Sequence, residues 1–238
     1  MTNFDDNCGA SEQLPNQPQT VQRSFPLPAR SRYDRGSYVV TSANEAAWRV
    51  AQAWVHADEP ALVICGPSGS GKTHLAGIIG GGDDAFVDGA SRPPASADRK
   101  IAIADNLPDA DPERLAQLFG WSGAKECRCV FVGAGNPGDW ALGVSDLQTR
   151  LEAAPRVSLT EPDEALIRAV MSKAFADRQL RVDPAVIEYA APRMPLTFKA
   201  AHRFVDAADQ DALAENKKIS IALARKVIDR LSDLGPNA

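Results

Sequence analysis

The stretch GPSGSGKT, from Gly66 to Thr73, has residue types and spacing suited to holding phosphate groups, because it fits the pattern G-x-x-x-x-G-K-[ST]. It follows an apolar run and opens a run of helix-forming residues, so N–H groups of the loop and of the helix N-terminus can face phosphate oxygens. Lys72 would reach the outer phosphates, and the Thr73 hydroxyl would bind Mg²⁺. The residues predicted to line this nucleotide site are Gly66, Gly69, Ser70, Gly71, Lys72, Thr73 and the adjacent His74.

A carboxylate, Asp105, follows the apolar run 101–104 and is followed by the amide of Asn106. A carboxylate at the end of a strand beside the loop is the natural second partner for Mg²⁺. The alternative is that Asp105 only caps the turn that follows. Asn106 stands where a second acid would orient an attacking water, and an amide cannot accept the proton of that water. Nucleotide binding and nucleotide hydrolysis are therefore separable in this sequence.

Composition limits the classes of partner. The net charge is −5 and the pI is about 5.3, which argues against a chain that grips DNA by itself through a basic face. The first residues contain no apolar segment typical of a signal peptide, and no stretch has the length of a membrane helix. The four cysteines have no disulfide-framework spacing, so we expect a cytoplasmic protein without a membrane anchor.

Apolar runs alternate with helical patterns up to Thr160, and this alternation predicts an α/β fold with a parallel sheet. Strands are predicted at 61–65, 85–88, 101–104, 129–133 and 156–159, with helices at 72–79, 111–120 and 145–153. An earlier helix is predicted to begin at Ser42, with Glu45 completing a capping box. Three or four helices follow Thr160. We therefore predict a flexible tail at 1–36, a nucleotide-binding α/β domain at 37–160 and a small all-helical lid domain at 161–238.

Four segments together resemble a known family: GPSGSGKTHL, SYVVTSANEAA, the IADN strand end and SDLQTRLEAAPRVSL. They are similar to the AAA+ domain of the bacterial replication initiator DnaA, and more closely to the Hda family of DnaA-related regulators. The resemblance implies an AAA+ P-loop fold, ADP or ATP with Mg²⁺ as the cofactors, and Asp-Asn as the ordinary strand ending. His74 follows the loop as in DnaA-like proteins, where we expect it to pack. The sequence stops at LSDLGPNA without a basic DNA-reading module, so we expect contact with DNA only through partners.

The tail sequence VQRSFPLPAR contains a further candidate site at Gln22, Phe25 and Leu27. Pro26 and Pro28 keep this segment extended. It resembles the short peptide by which Hda proteins dock on the sliding clamp of DNA polymerase, with a glutamine amide for hydrogen bonds and two apolar side chains for a pocket. The alternative is a proline-rich linker with incidental apolar residues.

The resemblance also assigns residues near the outer phosphates. Arg150 matches the arginine finger, whereas its spacing alone is equally consistent with a solvated arginine that pairs with Glu152 or Asp146. Asn136, or else Gly135, matches the polar residue near the γ-phosphate. In the lid, the best register puts Pro195 at the position of the phosphate-contacting arginine, which leaves Arg193 or Lys199 as substitutes.

The function that these expectations describe is negative regulation of replication initiation. The chain would bind adenine nucleotide, dock on the sliding clamp and present Arg150 to ATP-bound DnaA, whose own hydrolysis it would stimulate. We expect little intrinsic ATPase activity. The rival hypotheses are an autonomous AAA+ ATPase of the helicase-loader or transposition type, and a scaffold that keeps a nucleotide only for structure.

Overall fold

A parallel β-sheet with flanking helices is followed by a bundle of helices. A computed structural model describes residues 33–82, 85, 101–107, 112–123, 127–140 and 145–233. The strands are β1 (Ala61–Gly66), β2 (Ile101–Ala104), β3 (Arg128–Ala134) and β4 (Arg156–Ser158). The α-helices are α1 (Glu45–His56), α2 (Lys72–Gly80), α3 (Pro112–Gly123), α4 (Ser145–Ala153), α5 (Glu164–Asp177), α6 (Pro184–Ala190), α7 (Phe198–Glu215) and α8 (Ile221–Asp233). None of the helices in these ranges has the length and apolar character needed to cross a membrane.

The described strands lie in the order β2-β3-β1-β4, and each adjacent pair is parallel. Gly66 at the end of β1 has Ala134 of β3 as its Cα partner, and Ala104 at the end of β2 has Phe131. The carboxyl ends of these strands therefore reach one edge of the sheet. Both faces of a parallel sheet are covered, which explains why β1 and β2 are continuous apolar runs rather than alternating ones. The predicted α/β class is confirmed.

Separate apolar clusters cover the two faces of the sheet. On one face, Phe131 of β3 stacks on Phe119 of α3, with ring centroids 4.4 Å apart, beside Val63 of β1. On the other face, Leu62 and Ile64 of β1 pack with residues of α1 and α2, namely Trp54, Leu75 and Ile79. Successive residues of β1 thus alternate between two cores, and this alternation fixes the register of the strand.

Arg128, the first residue of β3, ties the end of α1 to the edge of the sheet where the strands begin. Its guanidinium donates to the carbonyl oxygens of Glu59 at 3.0 Å and Val55 at 3.1 Å, and also to that of Trp54. The guanidinium carbon lies 3.7 Å from the Trp54 ring centroid, and the Trp54 indole N–H donates to the carbonyl of Ala61 at 2.9 Å. A cation here satisfies the last carbonyls of a helix, which have no partner within the helix.

Helix α1 begins later than predicted. Its N-cap is Asn44 and its first residue is Glu45, so the capping box based on Ser42 is wrong. The Asn44 side chain accepts from the Thr41 N–H at 2.8 Å and donates to the Val39 carbonyl at 2.9 Å. These bonds hold the preceding segment rather than the helix, because a short amide side chain competes for nearby backbone groups.

The other predicted elements agree with the structure to within a few residues. Strand β1 extends one residue beyond the prediction to Gly66, and α3 extends to Gly123. The predicted strand at 85–88 lies outside the described residues except for Ala85, which is buried. Four helices, α5 to α8, follow β4 in the described part of the chain, where three or four were predicted.

The helices after β4 enclose a core of their own. Its fully buried members include Ile167, Met171, Phe204, Val205 and Val227. Three of the helices begin with a side-chain cap: Asp163 accepts from the Leu166 N–H, Asp183 from the Ala185 N–H and Thr197 from the Ala200 N–H. Such caps fix where each helix starts.

Replacing Asp163 tests the contribution of these caps. Asp163→Ala removes the acceptor that lies 2.7 Å from the Leu166 amide and should lower the free energy of unfolding by about 0.5–2 kcal/mol. Urea denaturation followed by circular dichroism measures the change. Asp163→Asn keeps an oxygen acceptor and should lose much less. An alanine variant as stable as the wild type would show that the cap contributes nothing.

Candidate functional site: a phosphate loop and its magnesium ligands

The phosphate loop connects the end of β1 to the start of α2. Gly66 has a φ of 145°, and Gly71, the N-cap of α2, has a φ of 89°. Residues that carry a side chain rarely adopt these φ values. A Cβ on Gly66 would lie 2.3 Å from the Leu159 carbonyl oxygen, so glycine is required there on steric grounds as well. The loop can therefore wrap closely and place its N–H groups and the N-terminus of α2 around one point.

Lys72, the first residue of α2, folds over this loop. Its ammonium donates to the Pro67 carbonyl oxygen at 2.6 Å. Burial lowers the pKa of Lys72 from its ordinary value, and the nearby Asp105 carboxylate opposes that shift. The cation is thus held against the loop by contacts that a phosphate group could replace.

Thr73 and Asp105 meet although their strands are not neighbours. The Thr73 hydroxyl donates to Asp105 Oδ2 at 2.7 Å, and β3 lies between the strands that precede the two residues. Oxygen atoms of a hydroxyl and of a carboxylate are ligands that Mg²⁺ prefers. These two residues fit a magnesium ion, and Asp105 does lie beside the loop.

Asn106 adopts a left-handed conformation with a φ of 59°. Its backbone N–H donates to Asp105 Oδ1 at 2.8 Å, so the carboxylate accepts from Asn106 and from Thr73 at the same time. The turn-capping role and the metal-ligand role, posed as alternatives for Asp105, are compatible in this geometry. Asparagine tolerates the left-handed region better than most residues, which suits the position.

A buried hydroxyl in the loop provides a test of whether a phosphate group fits. Ser70 is 5% exposed, and its Oγ is buried without a hydrogen-bond partner among the described residues. A buried polar atom without a partner is costly, and each such atom calls for an explanation. Phosphate oxygens would supply the missing acceptor. The donor set of the loop therefore fits a phosphorylated ligand.

Of the two residues predicted near the γ-phosphate, Gly135 contacts the loop directly. Its N–H donates to the Gly66 carbonyl at 3.2 Å. Asn136 is exposed, and its side-chain oxygen accepts from Arg156 at 3.4 Å. The backbone of the β3 end is thus joined to the loop, while the Asn136 amide is engaged by β4.

The helical bundle approaches the phosphate loop through two residues that sequence reasoning missed. A Cβ built on Gly71 would lie 2.9 Å from Phe198 Cε2, and one on Gly69 would lie 3.5 Å from Thr197 Cγ2. The cap chemistry of Thr197 is recognisable in the sequence, but its contact with a loop far away in the chain leaves no local signal.

The two predicted substitutes for the lid arginine differ in their surroundings. Arg193 donates to the Tyr189 carbonyl at 2.7 Å, and its guanidinium carbon lies 4.1 Å from the Tyr189 ring centroid. Arg193 is therefore held at the end of its own helix. Lys199 is exposed near the start of α7, directly after Phe198.

Arg150 lies on α4 and pairs with Asp146 across one helical turn, at 3.0 Å. The two side chains are 52% and 68% exposed. Glu152, the other partner considered, accepts from Gln148 instead. An exposed pair of this kind is worth about 0–1 kcal/mol, so it restrains the guanidinium only weakly.

The remaining predicted residues fall into two groups. His74 packs, as expected, between Tyr33 and Tyr38, and both ring-centroid distances are 5.9 Å. The tail residues Gln22 and Phe25, together with Leu27, lie outside the described residues.

The sequence itself has no match among protein-family models or curated proteins. Solved structures do resemble it. Domain III of DnaA from Thermotoga maritima has a TM-score of 0.69 at 16% identity, over 86% of this chain and 98% of that one. The RuvB Holliday junction branch migration motor of Thermotoga maritima has a TM-score of 0.63 at 18% identity, over 84% and 72%.

A DnaA replication initiator bound to AMPPCP and single-stranded DNA is also similar, with a TM-score of 0.59 at 16% identity, over 81% of this chain and 70% of that one. Identities this low establish the fold alone. The chain has the α/β AAA+ fold that the sequence predicted. Its particular activity has to be argued from its own residues.

Removal of the Thr73 hydroxyl tests the magnesium site. In Thr73→Ala the loop and Lys72 remain, so we expect ADP still to bind. The factor by which Mg²⁺ increases the ADP affinity should be smaller than in the wild type by about tenfold or more. Loss of supporting ligands alone typically costs 10–100-fold in metal affinity. Calorimetry with and without Mg²⁺ measures the difference. Thr73→Ser keeps the hydroxyl and is the control. Full Mg²⁺ enhancement in the alanine variant would exclude the hydroxyl as a ligand.

Proposed function

We propose that this chain is an Hda-type regulator that binds adenine nucleotide and stimulates ATP hydrolysis by the initiator DnaA. The observation that carries the nucleotide part is the hydrogen bond from Thr73 to Asp105, which joins the two proposed magnesium ligands beside the phosphate loop. Lys72 and the buried Ser70 hydroxyl would hold phosphate oxygens. Mg²⁺ bound at this site would neutralise phosphate charge.

Slow intrinsic hydrolysis follows from the residues next to the phosphates. The Asn106 amide cannot take a proton from an attacking water. Pro195 occupies the best register for the lid arginine, and Arg193 is bound to Tyr189 instead. The site is therefore suited to holding a nucleotide for a long time, with hydrolysis taking place on the partner.

Arg150 would act on that partner. Its guanidinium is about half exposed, and its bond to Asp146 is weak enough to be exchanged for a phosphate of another molecule. Arginine stays charged at all physiological pH values and can donate two parallel hydrogen bonds. Such a group can neutralise the charge that develops during phosphoryl transfer across an interface.

Docking on the sliding clamp would bring this regulator to DNA. Gln22 would supply hydrogen bonds, and Phe25 and Leu27 would fill an apolar pocket on the clamp. The net charge of −5 fits a chain that reaches DNA through a partner rather than through its own basic face.

The second candidate function is an autonomous AAA+ ATPase. The likeness in fold to the RuvB motor favours it, because that protein is a motor. The two functions separate in one experiment, in which ATP turnover by purified DnaA is measured with and without this protein and with the clamp loaded on DNA. The regulator requires faster turnover by DnaA and little turnover by the chain alone, whereas the autonomous ATPase requires rapid turnover by the chain alone.

The finger role of Arg150 has a direct test. Arg150→Ala should keep nucleotide and clamp binding but lose most of the stimulation of DnaA, since fingers supplied in trans contribute roughly 10³–10⁵ in rate. Arg150→Lys should restore little, because an ammonium lacks the two-pronged geometry. Single-turnover hydrolysis by DnaA is the measurement.

The chain offers a matched control for that variant. Arg49 also lies on an exposed helix face and pairs with an acid one turn away, Glu45, at 2.9 Å. Arg49→Ala should therefore stimulate DnaA as the wild type does. If Arg150→Ala is as active as Arg49→Ala, Arg150 is an ordinary surface arginine.

Alanine at Gln22 and Phe25 together should abolish clamp binding, since a few buried anchors carry most of a peptide interface. Size-exclusion chromatography with the clamp measures the loss. Gln19→Ala with Phe4→Ala changes the same residue types in the same tail and should leave binding intact. Co-migration of the Gln22/Phe25 variant with the clamp would reduce the motif to a linker.

A further inference from the structure

Residues 33–41, called here the anchor segment, lie against the helix that follows the phosphate loop. A Cβ built on Gly77 of α2 would lie 2.3 Å from Tyr33 Cδ1 and 2.4 Å from Tyr33 Cγ. The tyrosine ring therefore rests directly on the glycine, in space that any side chain at that position would occupy.

The same segment makes specific contacts one turn earlier on α2. Ser37 Oγ lies 3.1 Å from His74 Nε2, within hydrogen-bond distance. Tyr38 stacks on His74 and on Trp48 of α1, the latter with ring centroids 4.9 Å apart. Tyr38 is half-buried, and its burial raises the pKa of the phenol to about 12. Tyr33, Ser37 and Tyr38 thus form one continuous attachment.

The far end of the segment is fixed as well. The Asn44 side chain holds the backbone of Thr41 and of Val39, as described above. Val39 and Ala43 also pack against the core of the helical bundle, while Tyr38 packs against the core under the sheet. The anchor segment therefore contacts two apolar cores, that of the helical bundle and that formed by β1, α1 and α2.

Gly77 lies in the interior of α2, where glycine is unfavourable. Glycine there costs about 1 kcal/mol relative to alanine. Gly77 is buried in α2, and what fills the space above it is Tyr33. Helix α2 therefore has a residue of low helix propensity at the position that the Tyr33 ring covers.

We propose that the anchor segment fixes the point on the nucleotide-binding domain from which the clamp-binding peptide extends. The proposal rests on the proposed function, in which Gln22–Leu27 binds the sliding clamp. Five residues separate Leu27 from Tyr33, so the Cα atom of Leu27 lies at most about 20 Å from that of Tyr33. Helix α2 also carries Lys72 and Thr73, and a clamp held by the tail would therefore lie beside the nucleotide-binding face.

A short connection between the clamp-binding peptide and the anchor segment would limit how the domain can lie on the clamp. A long flexible tail would bind the clamp equally well but would let the domain take any orientation on it. With the tether anchored on α2, clamp docking orients the whole AAA+ domain, and with it Arg150 on α4. Misplacement of a reacting group by about 1 Å can cost roughly 100-fold in rate, so such orientation matters for an arginine that acts on another molecule.

Gly77→Ala is the sharpest test, because it places a methyl group where the Tyr33 ring lies and raises the helix propensity of α2. Tyr33→Ala releases the same contact from the other side. Both variants should bind the clamp and ADP as the wild type does, yet stimulate DnaA roughly 10–100-fold less. Gly120→Ala is the matched control, since a methyl on that helical glycine of α3 meets nothing within 4 Å. A flexible Gly/Ser insertion after Arg30 should reproduce the loss with the anchor intact.

A second measurement is independent of DnaA. In a Cys8→Ser background, where Cys65, Cys127 and Cys129 are buried, spin labels at positions 34 and 49 report the distance from the anchor segment to α1. The distribution should be narrow in the wild type and broad in Gly77→Ala. A broad wild-type distribution overturns the proposal, as does wild-type stimulation by Gly77→Ala and Tyr33→Ala when the Gln22/Phe25 variant is inactive. Failure of the wild type to stimulate DnaA would instead contradict the proposed function, and the distances would still decide whether the tail is anchored.

Discussion

The hydrogen bond between Thr73 and Asp105 depends on the order of the strands more than on any local sequence. Thr73 follows β1, Asp105 follows β2, and β3 lies between them. Only a sheet that inserts β3 at this place, with the registers observed, sets the hydroxyl and the carboxylate 2.7 Å apart. The continuous apolar strands, the two cores that cover them and the glycines of the loop all maintain this one distance.

The helical bundle reaches the same edge of the sheet. Phe198 approaches Gly71 and Thr197 approaches Gly69, while the side chain of Phe198 also packs on the core of the bundle. A change in the loop conformation would therefore shift Phe198, which packs on the core of the bundle, through direct contact.

Local sequence signals predicted the elements but not the contacts between distant ones. The apolar runs of β1 and β2 are each readable within a few residues. Helix α1 was placed too early because the Asn44 side chain bonds backward to Val39 and Thr41, which a capping pattern does not reveal.

Contacts over long separations were beyond sequence reasoning for a physical reason. Tyr33 on Gly77 joins positions that no local pattern relates, and the glycine, taken alone, indicates only a weak point in a helix. Likewise, the sequence analysis left open whether Arg150 pairs with Asp146 or Glu152. Once the segment forms α4, residues four apart share a face and residues two apart do not, so Asp146 is the partner.

Arg128 stabilises the end of the sheet at which the strands begin. Its bonds to the last carbonyls of α1, and its position over Trp54, lock the edge where the strands begin. At the opposite edge, β1 continues into the phosphate loop, whose backbone carbonyls accept from Lys72 and from Gly135. Local opening takes the least free energy where few buried contacts must be broken. The contacts of Arg128 therefore make the base of the sheet costly to open, whereas the phosphate loop is the part that a bound ligand would contact.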